Sequence, residues 1–256
     1  MSCSDKIKQM NILLTNDDGI ESNITRALYE KLSEKHSVTL IAPKHDKSGQ
    51  AAAITLRSSV EIEKLAENIY SVDGTPADCV FMGLMAIMKE TPDIIVSGIN
   101  KGANMGDDVM HSGTLGAAFT GRKLKFPPIA SSISGKSFEH YESAVLATEL
   151  MLDYVIENYS EDGHDGVVFN VNIPNLPFNE LESFSFTRLG NRGIPLAPEF
   201  DGDENKVSYK IGKSGEPNGD LTGTDFEAIM KKNVSVTPLY WDMTNLDKAR
   251  GKLPNA

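Results

Sequence analysis

The sequence predicts an α/β fold: a mainly parallel β-sheet flanked by helices, with a β-hairpin extension toward the C-terminus. Three observations predict it. Over the first 135 residues short apolar runs alternate with amphipathic stretches at helical spacing. Loops rich in oxygen donors or glycine follow those apolar runs. Past Ile173 the texture changes, and Pro174, Pro177, Pro195, Pro198 and Pro217 punctuate short strand-like segments.

The elements follow in order. Asn11 to Thr15 (NILLT) reads as a buried strand, followed by the loop Asn16-Asp17-Asp18-Gly19-Ile20. Asn23 to His36 reads as a helix, with Ile24, Ala27, Leu28 and Leu32 at helical spacing. Val38 to Ala42 is a second strand, ended by Pro43 and a polar loop; Ile54 to Leu56 and Ile69 to Val72 fit shorter strands. In Gly74-Thr75-Pro76-Ala77-Asp78, Thr75 suits an N-cap, Pro76 the first helical position and Asp78 the first turn, opening a helix to about Lys89.

Pro92 to Ser97 is a further buried strand, followed by a glycine-rich loop, a helix from Thr114 to Leu124 and a strand at Ile129 to Ile133. A long helix from Phe138 to Tyr159 carries Tyr141, Val145, Thr148, Leu152 and Val155 on one side. Val167 to Ile173 reads as a strand, and Phe184 to Leu189 with Lys206 to Ile211 read as strands of an antiparallel excursion. A capping box of Thr224 with Glu227 opens a short helix to Lys232, and Val234 to Leu239 is the last strand. Repeated strand–loop–helix units imply parallel pairing with helices on both faces. The division is 1–173 as core, 174–222 as hairpins, lid or oligomer arm, and 223–256 as a return to the core.

At 256 residues the chain suffices for one large α/β domain or for a large domain with a small appendage. Its net charge of −11, with no basic stripe, excludes a duplex nucleic acid partner. No apolar run approaches the ~20 residues of a membrane span. Met1 to Met10 lacks the layout of a secretory signal, so a cytoplasmic protein is expected. Cys3 and Cys79, without metal-type spacing, read as an incidental thiol and a reduced core thiol. Of the histidines, His36, His45, His140 and His164 are expected at the surface.

Asp17 and Asp18 follow the first strand, Ser48 the second and Asn100 the strand ending at Ser97. All three loops lie at the carboxyl ends of predicted parallel strands, where open α/β sheets form their ligand crevice. Adjacent carboxylates repel, and a cation relieves that repulsion. With a hydroxyl and an amide they make a hard-oxygen set suited to Mg²⁺, Mn²⁺ or Ca²⁺. The tetrapeptide Asn16 to Gly19 alone would equally suit a polar turn.

Asn104, Ser112, Gly113 and Thr114 lie in the second informative stretch, where glycine backbone and hydroxyls ahead of a helix offer a phosphate seat. Simple capping by Thr114 is the alternative there. His111 could protonate a leaving alcohol or hold the loop structurally. There is no GxxxxGK[ST], no GxGxxG after the first strand and no GxSxG, and the aspartates are neighbours rather than one residue apart. Direct attack by water is therefore expected over a phospho-aspartyl intermediate, with Asp17 or Asp18 orienting or deprotonating it.

Several segments together resemble the SurE family of nucleotidases: Ile12 to Ile20, Ala42-Pro43 with Ser48-Gly49, Gly74 to Val80, Val96 to Gly106, and His111 to Ala118. Thr224-Asp225-Phe226 and Val234 to Leu239 fit as well. The resemblance implies a Rossmann-like core, a hairpin extension exchanged between subunits, and a homodimer or homotetramer. It implies metal-dependent hydrolysis of nucleoside 5′- and 3′-monophosphates and some action on short polyphosphates. It also implies that one divalent cation, Mg²⁺ or Mn²⁺, is held by Asp17, Asp18, Ser48 and Asn100. Gln50 to Ala53 departs from the Ser, Asn or His of many relatives. Two rivals share the residue pattern, a nucleotide-binding regulator without turnover and a metal-dependent glycosyltransferase. The Ser112-Gly113-Thr114 segment argues against the second.

Overall fold

The computed structural model describes residues 8–160, 163–202, 207–211 and 214–244. The strands are β1 (Asn11–Thr15), β2 (Ser37–Pro43), β3 (Ile62–Ala66), β4 (Ile69–Val72), β5 (Ile94–Lys101), β6 (Ile129–Ser134) and β7 (Val167–Pro174). They continue with β8 (Phe184–Phe186), β9 (Asn191–Arg192), β10 (Glu199–Gly202), β11 (Val207–Lys210), β12 (Pro217–Asn218) and β13 (Val234–Tyr240). The α-helices are α1 (Asn23–Ser33), α2 (Pro76–Met82), α3 (Gly113–Thr120), α4 (Tyr141–Asn158) and α5 (Asp225–Met230).

A nine-stranded sheet runs β3-β4-β2-β1-β5-β6-β7-β13-β8. Its central strands, β4 through β7 in that order, are all parallel, while β3 and β13 pair antiparallel with β4 and β7. From β1 the chain winds to β2 and β4 on one side, then crosses to β5, β6 and β7 on the other. The strand order thus reverses between β1 and β5, the position where such sheets open a crevice at their carboxyl ends.

Burial on both faces explains why the strands read as continuous apolar runs. Period-2 alternation divides them: Ile12 and Leu14 pack in the layer of Ile24, Leu28, Leu152 and Val155, beneath α1 and α4. Leu13 points the other way, into the layer of Ile41, Ile95, Val80 and Ala117 under α2 and α3. Cys79 is in that second layer, fully buried, and burial pushes its thiol pKa well up, as a core thiol requires. Cys3 lies outside the described residues.

Several expectations need correction. Ile54 to Leu56 is not a strand, because Thr55 gives both its N–H and its hydroxyl to the Asp78 carboxylate at 2.9 and 2.6 Å. The segment is tied to the head of α2 instead of to a sheet neighbour. The strand beside β4 is β3, which sequence reading missed since all its residues are exposed. The helix from Thr75 has its cap and a full capping box with Asp78, but α2 stops at Met82 and gives way to a π-helical turn, Gly83–Ile87. Gly83 sits against Leu13 and Ile41, where a methyl group would collide. The long helix starts at Tyr141 rather than Phe138.

In the extension, β10 and β11 do form an antiparallel hairpin, whereas Lys206 lies outside the described residues. Phe184–Phe186 instead joins the main sheet parallel to β13. Thr224 caps α5, but Glu227 accepts the N–H of Gly223 at 2.7 Å rather than that of Thr224, leaving the capping box half made. His36 is buried, not at the surface: its Nδ1 accepts the Met10 N–H at 3.3 Å where α1 turns into β2. His45 is exposed, and His140 and His164 are half-buried.

Candidate active site

The loop after β1 is built by its own asparagine. Asn16 is buried; its Nδ2 donates to Gly19 O and Thr25 Oγ1, both at 2.8 Å, and its Oδ1 accepts the Gly19 N–H at 3.1 Å. This closes an Asx-type turn that fixes Asp17 and Asp18 at the end of the strand. The β2 loop is stitched to it, since Ile20 N–H donates to Pro43 O and Lys47 N–H to Asp17 O, each at 2.8 Å. That brings Ser48 into the same rim. Ser48 is exposed, its N–H donates to Asp46 Oδ1 at 2.8 Å, and among the described residues its hydroxyl has no partner.

Asn100 arrives from β5 by way of a bulge. Ser97 pairs with Ala130 and Asn100 with Ser132, so β5 holds one residue more than β6 between the two pairs. Gly98 takes up the excess at φ +136, a conformation in which a Cβ would strike Ser131 O; its peptide bond with Ile99 is cis. Asn100 Nδ2 donates to Gly102 O at 2.7 Å, which leaves Oδ1 without a donor among the described residues. The next N–H, of Lys101, donates to Asp18 Oδ2 at 3.2 Å and joins the end of β5 to the β1 loop.

Asp17 meets the head of α3. Its Oδ1 accepts the hydroxyl of fully buried Thr114 at 2.8 Å. A Cβ on Gly113 would lie 3.0 Å from both Cβ and Oδ2 of Asp17, so a side chain there could enter only by displacing the carboxylate. Ser112 is the N-cap of α3, accepting the Leu115 N–H at 3.1 Å. Capping by Thr114, the alternative left open by the sequence, is thereby excluded. Asn104 is held by a layer of amides and hydroxyls: its N–H donates to Asn172 Oδ1 and its Nδ2 to Ser132 Oγ, both at 2.8 Å. Asn170 and Asn172 both donate to Asn104 O, at 2.8 and 3.0 Å. His111 is exposed, and its carbonyl accepts the Ala51 N–H at 3.1 Å.

The electrostatics are unusual for an interior. Asp17 is 3% exposed, and its pKa is pushed up to about 6, first by burial and then by the charges of Asp18 and Asp46, against the Thr114 hydrogen bond. Burial also raises the Asp18 pKa, opposed mainly by the Lys101 charge. Among the described residues neither carboxylate is in an ion pair, and no three His, Cys, Asp or Glu side chains gather as a metal cluster. A hard cation would therefore rest on two carboxylates completed by neutral oxygens. Asp18 Oδ1, Asn100 Oδ1 and Ser48 Oγ accept no hydrogen bond among the described residues, and those donor types fit Mg²⁺ or Mn²⁺.

Comparison with known proteins agrees with this architecture. The family model described as "Survival protein SurE" matches residues 12–195. The chain belongs to the SurE family. A SurE relative from Legionella pneumophila (strain Corby), named 5′-nucleotidase SurE, is 40% identical over 238 residues, covering 92% of this chain and 93% of its own. One of the same name from Pseudomonas fluorescens is 39% identical over 242 residues, covering 94% and 96%. The crystal structure of the SurE protein from Aquifex aeolicus superposes with a TM-score of 0.80 at 35% identity, covering 92% of this chain and 95% of that one.

The supporting layer of the site escaped sequence reading. Asn170 and Asn172 lie two apart in β7, hence on one face, and Ser132 pairs with Asn172 across β6. Two asparagines at that spacing within a buried apolar strand were the available signal, because buried amides must be paired.

Proposed function

We propose that this chain is a metal-dependent nucleotidase that hydrolyses nucleoside 5′-monophosphates, and 3′-monophosphates, to nucleoside and phosphate, with short polyphosphates as a further substrate class. The observation that carries the reading is Asp17: a carboxylate buried beside a second one, with no ion-pair partner among the described residues, at the switch point of the sheet and bonded to the head of α3. The names of the SurE relatives point the same way.

Asp17, Asp18, Ser48 and Asn100 would hold one Mg²⁺ or Mn²⁺. A cation there supplies Lewis acidity toward a phosphate oxygen and toward water. Asn104, Ser112, Gly113 and Thr114 bind and orient the phosphoryl group; the N–H groups at the start of α3 favour negative charge developing on it. Thr114 fixes Asp17 in one rotamer through their hydrogen bond. Asp18, the more accessible of the two, is the better placed to orient the attacking water and accept its proton. His111 is exposed, which leaves it free to serve the leaving alcohol as a proton donor.

No helix among the described residues is long and apolar enough to cross a membrane. We place the protein in the cytoplasm as a homodimer or homotetramer, with 1–173 as core, 174–222 as oligomer arm and 223–256 returning to the core. The test is phosphate release from a panel of 5′- and 3′-monophosphates and short polyphosphates with Mg²⁺, Mn²⁺ or Co²⁺. Release that vanishes in EDTA is expected. No release above the EDTA baseline with any cation would overturn the reading.

A further inference from the structure

Asn104 and Ser112 are joined by Met105 and a 3₁₀ turn, Gly106–His111. The β7 amides hold the upstream end of this connection, but the turn itself is held from the C-terminal part of the chain. Asp225, fully buried at the start of α5, accepts the Gly106 N–H on Oδ2 at 2.8 Å. Its Oδ1 accepts the N–H groups of Gly190 and Phe226, both at 2.9 Å. The Phe226 ring closes the contact, since a Cβ added at Gly106 would lie 2.9 Å from it.

A second clamp grips the turn one residue on. The Arg192 guanidinium places Nε and Nη2 each 2.7 Å from Asp108 Oδ2 and its Cζ 4.8 Å from the Phe226 ring centre, while the Arg192 backbone N–H donates to Asp107 Oδ2 at 3.0 Å. Ser214 adds a hydrogen bond to Asp108 Oδ1 at 2.6 Å.

We propose that Asp225 is a positioning residue for phosphoryl transfer: through the Gly106 N–H it sets the turn that delivers Ser112 to Thr114, and through Thr114 the rotamer of Asp17. This rests on the reading of Asn104 and Ser112–Thr114 as the phosphate cradle. The carboxylate is required because three N–H donors converge on two oxygens. An asparagine keeps most bonds by turning its oxygen to Gly190 and Phe226, which sets its NH₂ against the Gly106 N–H. The isosteric change therefore releases the turn and spares α5. Since a cradle acts on charge that develops during reaction, its displacement lowers kcat more than it raises KM.

The experiment compares Asp225→Asn with Glu227→Gln, which weakens the same helix at Gly223 and Lys231 without touching the turn. Asp108→Asn, which loosens the second clamp, serves if Asp225→Asn does not fold. We expect Asp225→Asn to lower kcat by about 10- to 100-fold with KM within about threefold. Amide exchange over residues 105–114 should speed by about tenfold, with Glu227→Gln unchanged in both and Asp108→Asn intermediate. Equal losses in Asp225→Asn and Glu227→Gln, or kcat and exchange in Asp225→Asn matching wild type, would overturn the proposal. If wild type itself releases no phosphate, the nucleotidase reading fails separately. Exchange over 105–114 and the affinity for inorganic phosphate with Mn²⁺ then decide: faster exchange and weaker phosphate binding in Asp225→Asn uphold the positioning role, and no change in them removes it.

Discussion

Asp17 and Glu149, 3% and 7% exposed, are both buried carboxylates, and their surroundings differ in kind. Glu149, on α4, is met by Lys35 at 2.8 Å and Lys31 at 3.7 Å from the last turn of α1 and just beyond it. It lies toward the amino end of the sheet, where α1 hands over to β2 and the Ser37 N–H bonds Met10 O. Asp17 lies at the carboxyl end with two more carboxylates nearby and no ion-pair partner among the described residues. Folding neutralises one buried acid and leaves the other in want of a cation. A buried charge left uncompensated costs stability and persists where function needs it.

Exchange of the charged group should therefore have opposite consequences at the two places. Asp17→Asn keeps an acceptor for Thr114 and removes the charge; we expect phosphate release to fall by about 10³-fold or more with no loss of thermal stability. Asp18→Asn should behave alike. In Glu149→Gln, turnover should stay within about twofold of wild type. An Asp18→Asn enzyme with full activity would erase the functional side of the contrast.

The pH dependence of stability in EDTA tests the electrostatic side. The Asp17 pKa is raised to about 6, so between the ordinary aspartate range and that value the folded state keeps a proton that the unfolded chain has given up. Its contribution is thus complete below about pH 4, falls as pH rises toward 6, and is level beyond, for a total on the order of 3 kcal/mol. Urea unfolding of wild type and Asp17→Asn across this range should show the mutant gaining on wild type with rising pH. Parallel curves would mean that Asp17 is not a frustrated charge.

Added Mn²⁺ should undo that cost. At about a hundred times its Kd, a ligand bound only by the folded state contributes about 2.7 kcal/mol. For a chain of this length that is a rise in Tm of about 5 to 10 °C. Scanning calorimetry should show the rise in wild type and little of it in Asp18→Asn. An equal rise in both would place the cation elsewhere.

The same contrast explains what was legible in the sequence. Asn16 to Gly19 could be placed at the rim because an apolar run, a polar turn and an amphipathic helix each have a local signature. Convergence of Ser48 and Asn100 on that turn followed from the crossover rule for parallel strands, which needs no coordinates. What stayed hidden depends on partners distant in the chain. His36 is buried because β1 brings Met10 to it, and Thr55 leaves the sheet because Asp78 takes both its donors. Gly83 tolerates no side chain because Leu13 and Ile41 lie against it. Neither the Asp225–Gly106 bond, across 119 positions, nor the placement of β8 beside β13 has a local cue.

The smallest effect belongs to Glu149. The Lys31 and Lys35 side chains are 28% and 36% exposed, so water already screens much of their attraction, and an ion pair so placed is worth about 1 kcal/mol or less. Glu149→Gln retains the size and a hydrogen-bond acceptor, so we expect a loss of about 1 kcal/mol, read as a fall in Tm of about 2 to 4 °C. Coupling should be visible in a double-mutant cycle: in a Lys35→Met background the Glu149→Gln cost should shrink, because one of the two cations that justified the charge is gone. If the cost is the same in both backgrounds, the lysines do not neutralise Glu149. Its burial would then resemble that of Asp17 more than the present contrast allows.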